Sequence, residues 1–191
     1  MSGQADAGMM VVVVGPSGAG KDSVIAYAAR HFAGNPRLAL VRRIITRPPD
    51  GGFEAHEAVG VEEFARRRAE GAFAVSWEAH GLCYAFPRET LDMLDRGMTL
   101  VANGSRAALP AIAAAYPRLR VVTVTARPDI LAARLAARGR ESPEAIAGRL
   151  RRAVAETPGA MVIDNSGALA EAGATFIALL EETLERSPQA G

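Results

Sequence analysis

Residues 15–22 read Gly15-Pro16-Ser17-Gly18-Ala19-Gly20-Lys21-Asp22, and Ser23 follows. Apart from its last position this is the pattern G-x-x-x-x-G-K-[ST], a glycine-rich turn that cradles the phosphates of a nucleotide. Glycine permits backbone angles that a Cβ forbids, so successive N–H groups can converge on one anion. A helix N-terminus behind them adds about half a positive charge. Lys21 would reach the β- and γ-phosphates. The hydroxyl expected after the lysine is replaced by the carboxylate of Asp22. Two readings fit that exchange. An acidic residue suits the first turn of any helix. Alternatively, Asp22 supplies an oxygen ligand to the magnesium ion that accompanies ATP, directly or through water. The segment Thr99–Ala102 ends in Asn103 and not in an acid, so no carboxylate from that strand end competes for the role.

A second group of residues could meet the same phosphates. Arg134 and Arg138 are four apart on an expected helix and share a face. Arg149, Arg151 and Arg152 lie on the next expected helix, beyond Gly139. A phosphoryl group in transfer spreads charge over its equatorial oxygens, and the planar guanidinium fork matches that distribution. The same arginines could also form an ordinary solvated face.

These residues need a scaffold, and the pattern supplies one. Met9 to Val14 is a continuous apolar, β-branched run, as in a strand buried on both faces. Ser23 to Arg30 reads as the helix that must follow the glycine turn. Further strands are expected at Leu38 to Ile45, Met98 to Ala102, Leu119 to Thr125 and Met161 to Asp164. Helices are expected at Arg106 to Ala115, Ile130 to Arg138, Pro143 to Glu156 and Leu169 to Leu184. Such alternation predicts βαβ units and a parallel sheet, an α/β fold. The stretch 42–90 breaks the rhythm. It holds a polar loop from Thr46 to Val59, a short helix from Val61 to Glu70, strands at Phe73 to Trp77 and Leu82 to Phe86, and a helix from Glu89 to Arg96. It reads as a small lobe inserted into the sheet domain.

The chain has 191 residues, enough for one domain with a sizeable core, and 49% of them are hydrophobic. A net charge of +1 gives no reason to expect nucleic acid or an anionic membrane as partner. The single Cys83 cannot form an intrachain disulfide and fits a reducing cytoplasm. No apolar stretch reaches the ~18 residues of a membrane span. Residues 1–8 lack the basic region of a signal peptide and are expected to be a frayed tail. Oligomeric state cannot be read from the chain.

Order and spacing of several short motifs resemble the guanylate kinase superfamily along nearly the whole chain. They are residues 15–21, Thr46-Arg47-Pro48, Glu62-Glu63-Phe64, Gly71-Ala72-Phe73, His80-Gly81, Tyr84, residues 134–139 and Arg149-Leu150. The resemblance implies a P-loop kinase of three layers, with core 9–41 and 98–186, an acceptor-binding lobe at about 42–90 and an arginine-rich lid at about 134–152. It also implies roles. Residues 15–23 hold the nucleotide and Asn165 neighbours the adenine. Lys21, Arg134, Arg138 and Arg149 act on the transferring phosphoryl group. Arg47 and Tyr84 take the acceptor phosphate.

The departures narrow the reading. Where guanylate kinases carry a Glu that reads the guanine edge, this chain has Val75. A hydroxyl pair after the family Tyr-Gly becomes Phe86-Pro87. A guanine left unpaired in a buried site costs several kcal/mol relative to a hydrogen-bonded one, so GMP is a poor acceptor. Gly20-Lys21-Asp22-Ser23, Ile45-Thr46-Arg47-Pro48, Glu54-Ala55-His56-Glu57, residues 76–82, Asn103-Gly104-Ser105-Arg106 and residues 138–141 resemble instead the ribose 1,5-bisphosphate phosphokinases. That resemblance implies an ATP- and Mg2+-dependent enzyme acting on a small sugar phosphate in phosphonate breakdown. Two acceptor phosphates need many cationic donors. Arg42, Arg43, Arg47, His56, His80 and Arg106 are candidates, with Glu78 and Trp77 toward the sugar. Two alternatives stay open: a nucleoside monophosphate kinase of altered base choice, and a non-catalytic guanylate kinase-like binding module. A GTPase is disfavoured, because no Asn-Lys-x-Asp motif is present.

Overall fold

A computed structural model of the chain describes residues 8–47, 56–137 and 159–186. Strand β1 (Met9–Val14) is the centre of the molecule. Its flanking strands are both parallel to it, β7 (Thr99–Asn103) on one side and β8 (Leu119–Thr125) on the other. Outside these lie β2 (Leu38–Leu40) and β9 (Met161–Asp164), which completes a five-stranded parallel sheet in the order β2-β7-β1-β8-β9. Side chains alternate across β1. Val11 and Val13 enter one apolar cluster, with residues of helices α1 (Lys21–His31), α5 (Pro128–Ala137) and α6 (Leu169–Arg186). Met10, Val12 and Val14 enter a second, with Leu94 of α3 (Glu89–Asp95) and Ile112 of α4 (Leu109–Ala115). The result is the expected three-layer sandwich, with helices on both faces. A strand buried on both faces must be apolar at every position, which is why β1 shows no alternation.

A smaller sheet, in the order β4-β3-β6-β5, lies in the inserted segment. It comprises β3 (Ile44–Ile45), β4 (Glu57–Ala58), β5 (Phe73–Ala79) and β6 (Leu82–Pro87). Helix α2 (Val61–Ala69) places Phe64 against Ile44 and Ala85 on its outer face. On the inner face, Val75 and Phe86 join the second cluster of the main sheet, so the two sheets share a core.

One expected element is divided. The run Leu38 to Ile45 does not form a single strand. β2 follows β7 as far as Leu40, and the N–H of Val41 still donates to the Val101 carbonyl at 2.8 Å. The chain then leaves, and Ile44–Ile45 pairs with β6 and β4 of the other sheet. Arg42 and Arg43 lie at the crossing between the two sheets. The expected helix Arg106 to Ala115 also divides, into a 3-10 turn (Arg106–Ala108) and α4. Its Pro110 lies at the start of α4, where a missing N–H costs nothing. The expected helix at 143–156 lies outside the described residues.

Candidate active site

The phosphate turn leaves β1 where the strand's two neighbours lie on opposite sides, the position at which open α/β sheets bind ligands. Gly15, Gly18 and Gly20 have φ of 144°, 87° and 86°, the region closed to most side chains. Space confirms the need at two of them. A Cβ on Gly15 would collide with the carbonyl oxygen of Val124, and one on Gly20 with the Asn165 amide. Gly20 then caps α1, whose first turn carries Lys21, Asp22 and Ser23. The Lys21 ammonium donates to the carbonyls of Gly15 at 2.9 Å and Pro16 at 3.1 Å, which holds it at the rim of the turn.

Asn165, just beyond β9, is 3% exposed, and its Nδ2 donates to the Ala19 carbonyl at 2.7 Å. It braces the turn from below, a role that the resemblance, which offered it as a neighbour of adenine, did not foresee. Arg134 Nη2 in turn donates to the Asn165 carbonyl at 2.9 Å. The other terminal nitrogen of Arg134, Nη1, is buried and has no hydrogen-bond partner among the described residues. It lies 3.9 Å from where a Cβ on Gly20 would stand. A buried guanidinium N–H without an acceptor is costly, and an anionic oxygen in the turn would satisfy it. Arg134 is therefore fixed at one end and available at the other. Arg138 and Arg149 lie outside the described residues, as do Arg151 and Arg152.

Asp22 makes a contact that no local spacing in the chain predicts. Asn103, at the end of β7 and 81 residues away, donates from Nδ2 to Asp22 Oδ1. Sequence reasoning had singled out both residues, one for its charge and one for its lack of it, but nothing in the spacing joins them.

Of the acceptor candidates, Arg43 and Tyr84 lie together on the inner face of the smaller sheet. Arg43 is 9% exposed and lies over the Tyr84 ring, with Cζ 5.4 Å from the centroid. Tyr84 stacks on Trp77, with centroids 5.5 Å apart and planes 8° from parallel. Cation and two rings thus form one stack, which holds the guanidinium over the Tyr84 face. Arg47 follows β3, and the preceding Thr46 accepts through Oγ1 from the Cys83 N–H at 2.9 Å, which ties the start of that loop to β6. Arg42 donates to the His56 carbonyl at 3.3 Å. Arg106 opens the 3-10 turn just past Asn103. Glu78 and His80 are exposed at the far end of the β5–β6 hairpin. His80 and Gly81 have φ of 53° and 74°, as in a two-residue type I′ turn. Val75 is 8% exposed and Phe86 fully buried, and they face each other across β5 and β6. The positions at which the sequence lacked base-reading groups are filled with apolar packing.

Similarity to known proteins agrees with this arrangement. No protein-family model matches the chain. A ribose 1,5-bisphosphate phosphokinase of Agrobacterium fabrum is 49% identical over 177 residues, 91% of this chain and 97% of the relative. One from Rhizobium etli is 49% identical over 183 residues, 94% of this chain and 93% of the relative. The chain belongs to the ribose 1,5-bisphosphate phosphokinase family. It is a kinase, and neither alternative reading, the nucleoside monophosphate kinase or the binding module, finds support among these relatives. The fold is also that of guanylate kinase from Anaplasma phagocytophilum, with a TM-score of 0.69 at 17% identity, over 97% of this chain and 89% of that one. None of the described helices is long and apolar enough to cross a membrane.

Proposed function

We propose that the protein transfers the γ-phosphoryl group of ATP to ribose 1,5-bisphosphate, giving 5-phospho-α-D-ribose 1-diphosphate and ADP, within phosphonate breakdown in the cytoplasm. The observation that carries the choice of acceptor is the state of the inner lobe face. It offers guanidinium groups and a ring stack, while Val75 and Phe86 present no polar atom to a base.

The acceptor nucleophile is a phosphate oxygen, largely ionised near neutral pH, so no general base is demanded. Catalysis reduces to positioning and charge neutralisation. The turn 15–20 and the N-terminus of α1 hold the ATP phosphates. Lys21 supplies a cation to the β- and γ-oxygens, and the open end of Arg134 supplies another beside Gly20. Arg138 and Arg149 complete the lid. Arg43, Arg47, His56, Tyr84 and Arg106 take the two acceptor phosphates, with Arg43 preset by its stack on Tyr84.

The residues present fit a magnesium ion, because Asp22 offers the hard oxygen donor such an ion selects. Its Oδ2 makes no hydrogen bond among the described residues. A bound Mg2+ would neutralise charge on the β- and γ-phosphates.

The deciding assay follows ADP release with ATP, Mg2+ and either ribose 1,5-bisphosphate or GMP. Turnover is expected with the sugar and not with the nucleotide. Robust turnover with GMP alone would sink the proposal.

A further inference from the structure

The contact between Asp22 and Asn103 is more than proximity of two polar groups. Asn103 ends β7 in register with Val13 of β1. The next residue, Gly104, donates its N–H to the Val13 carbonyl at 2.9 Å. A Cβ on Gly104 would run into the side chain of Val12. The end of β7 is thus held against β1 more closely than any other residue type at 104 would allow. Asn103 is 9% exposed, and its amide is carried by a rigid strand end rather than by a loose loop. That amide engages Oδ1 of Asp22 and leaves Oδ2 without a partner among the described residues.

We infer that Asn103 is a positioning residue for the metal of the reaction. It fixes the rotation of the Asp22 carboxylate and leaves Oδ2 as the oxygen open to a divalent cation. The identity of the partner matters. A second carboxylate touching Asp22 would repel it, and in the absence of the cation one of the two would hold a proton. A cationic partner would neutralise Asp22. The neutral amide orients the carboxylate and leaves its charge intact. Partners one shell out from a metal ligand commonly change metal affinity by 10- to 100-fold when removed. The inference rests on the reading of Asp22 as a magnesium ligand, and the experiment separates the two.

The measurement is the factor by which saturating Mn2+ strengthens binding of the non-hydrolysable ATP analogue AMPPNP to the full chain. It is read by titration calorimetry with Mn2+ and again with EDTA. The variants are Asp22→Asn, Asn103→Leu and the two combined. Leucine keeps the branched outline of asparagine, though it is bulkier, and removes the donor, and Asn103→Ala serves should the leucine variant not fold. Asn103→Leu is expected to lower the metal factor by about tenfold or more, while metal-free AMPPNP affinity stays at the wild-type value. The double variant is expected to be no worse than Asp22→Asn, since Asn103 acts only through that carboxylate. A wild-type metal factor in the Asn103 variants, with a lowered one in Asp22→Asn, overturns the positioning role and leaves the Asp22 reading standing. A wild-type factor in Asp22→Asn overturns both. An equal loss of metal-free affinity in the Asn103 variants also overturns the inference, because it marks a role in shaping the turn.

Discussion

The two ends of the site are built by different means. The phosphate end is made of backbone: three glycines at positive φ, a helix N-terminus and one buried amide under the turn. Its few side chains are tied to main-chain carbonyls, Lys21 to Gly15 and Pro16, and Arg134 to Asn165. The acceptor end is made of side chains on strands of two to seven residues, ordered by a ring stack and surface ion pairs. A backbone site binds any phosphate of the right shape. A side-chain site can change its substrate by changing a few residues. The difference would let one fold change its acceptor by exchanging a few side chains while the phosphate turn stays the same.

The largest effects should fall at the phosphate end. Lys21→Ala is expected to lower kcat/KM for ribose 1,5-bisphosphate roughly 10³-fold, because in the proposed mechanism it removes a cation from the transferring group. Arg138→Ala should lower kcat by a similar factor, roughly 10³-fold, if its lid role holds. Steady-state rates at saturating ATP check both. A change of only a few-fold for Arg138→Ala would return that residue to the surface.

Next comes the acceptor face, where Val75→Glu tests whether the lobe can be turned back toward a base. The change puts a carboxylate at a position 8% exposed, opposite buried Phe86. A buried charge without a partner costs about 3–5 kcal/mol, so a fall in Tm is expected and no turnover of GMP. Gain of GMP turnover with unchanged Tm would mean that the site opens there and that the apolar packing is not what excludes the base.

How much of this was legible follows the same division. The phosphate turn could be read because local sequence fixes it: glycines in a set spacing after an apolar run demand one geometry. Strand order was not stated by the pattern, yet the alternation of elements was enough to give the parallel sheet. The crossing at Arg42 and Arg43 was missed because apolar periodicity does not tell which sheet a strand joins, and β3 is only two residues long. His80 was offered as a ligand from its motif, and no sequence pattern showed that it sits at positive φ in a hairpin turn. Asn103 and Asp22 are 81 residues apart, and no local rule couples such a pair.

The smallest effect belongs to the outer side of the lobe. Arg67 bridges Glu57 of β4 and Glu63 of α2, each at 2.6 Å, and Arg66 pairs with Glu63 and Glu70. Hydrogen bonds from Arg66 and then Arg67 hold the Glu63 carboxyl down at about 2. A carboxyl whose pKa is depressed by folding contributes stability above its unfolded value, and loses it as pH falls through the folded one. The contribution should therefore be complete above about pH 5 and mostly lost by about pH 2, vanishing only below it. Glu63 is only partly buried, its side chain 36% exposed, so the gain is small and screened by salt. Wild type and Glu63→Gln, melted from pH 6 down to pH 2 in low salt, should differ most at pH 6 and converge on acidification. The gap should also narrow in 0.5 M NaCl. Meanwhile the Kd for AMPPNP at neutral pH should be the same in both proteins, because the ATP end is held by buried backbone contacts that these ion pairs do not touch. A weakened nucleotide affinity in Glu63→Gln would show that the two ends are coupled through the shared core of Val75 and Phe86, and the division drawn between them would fail.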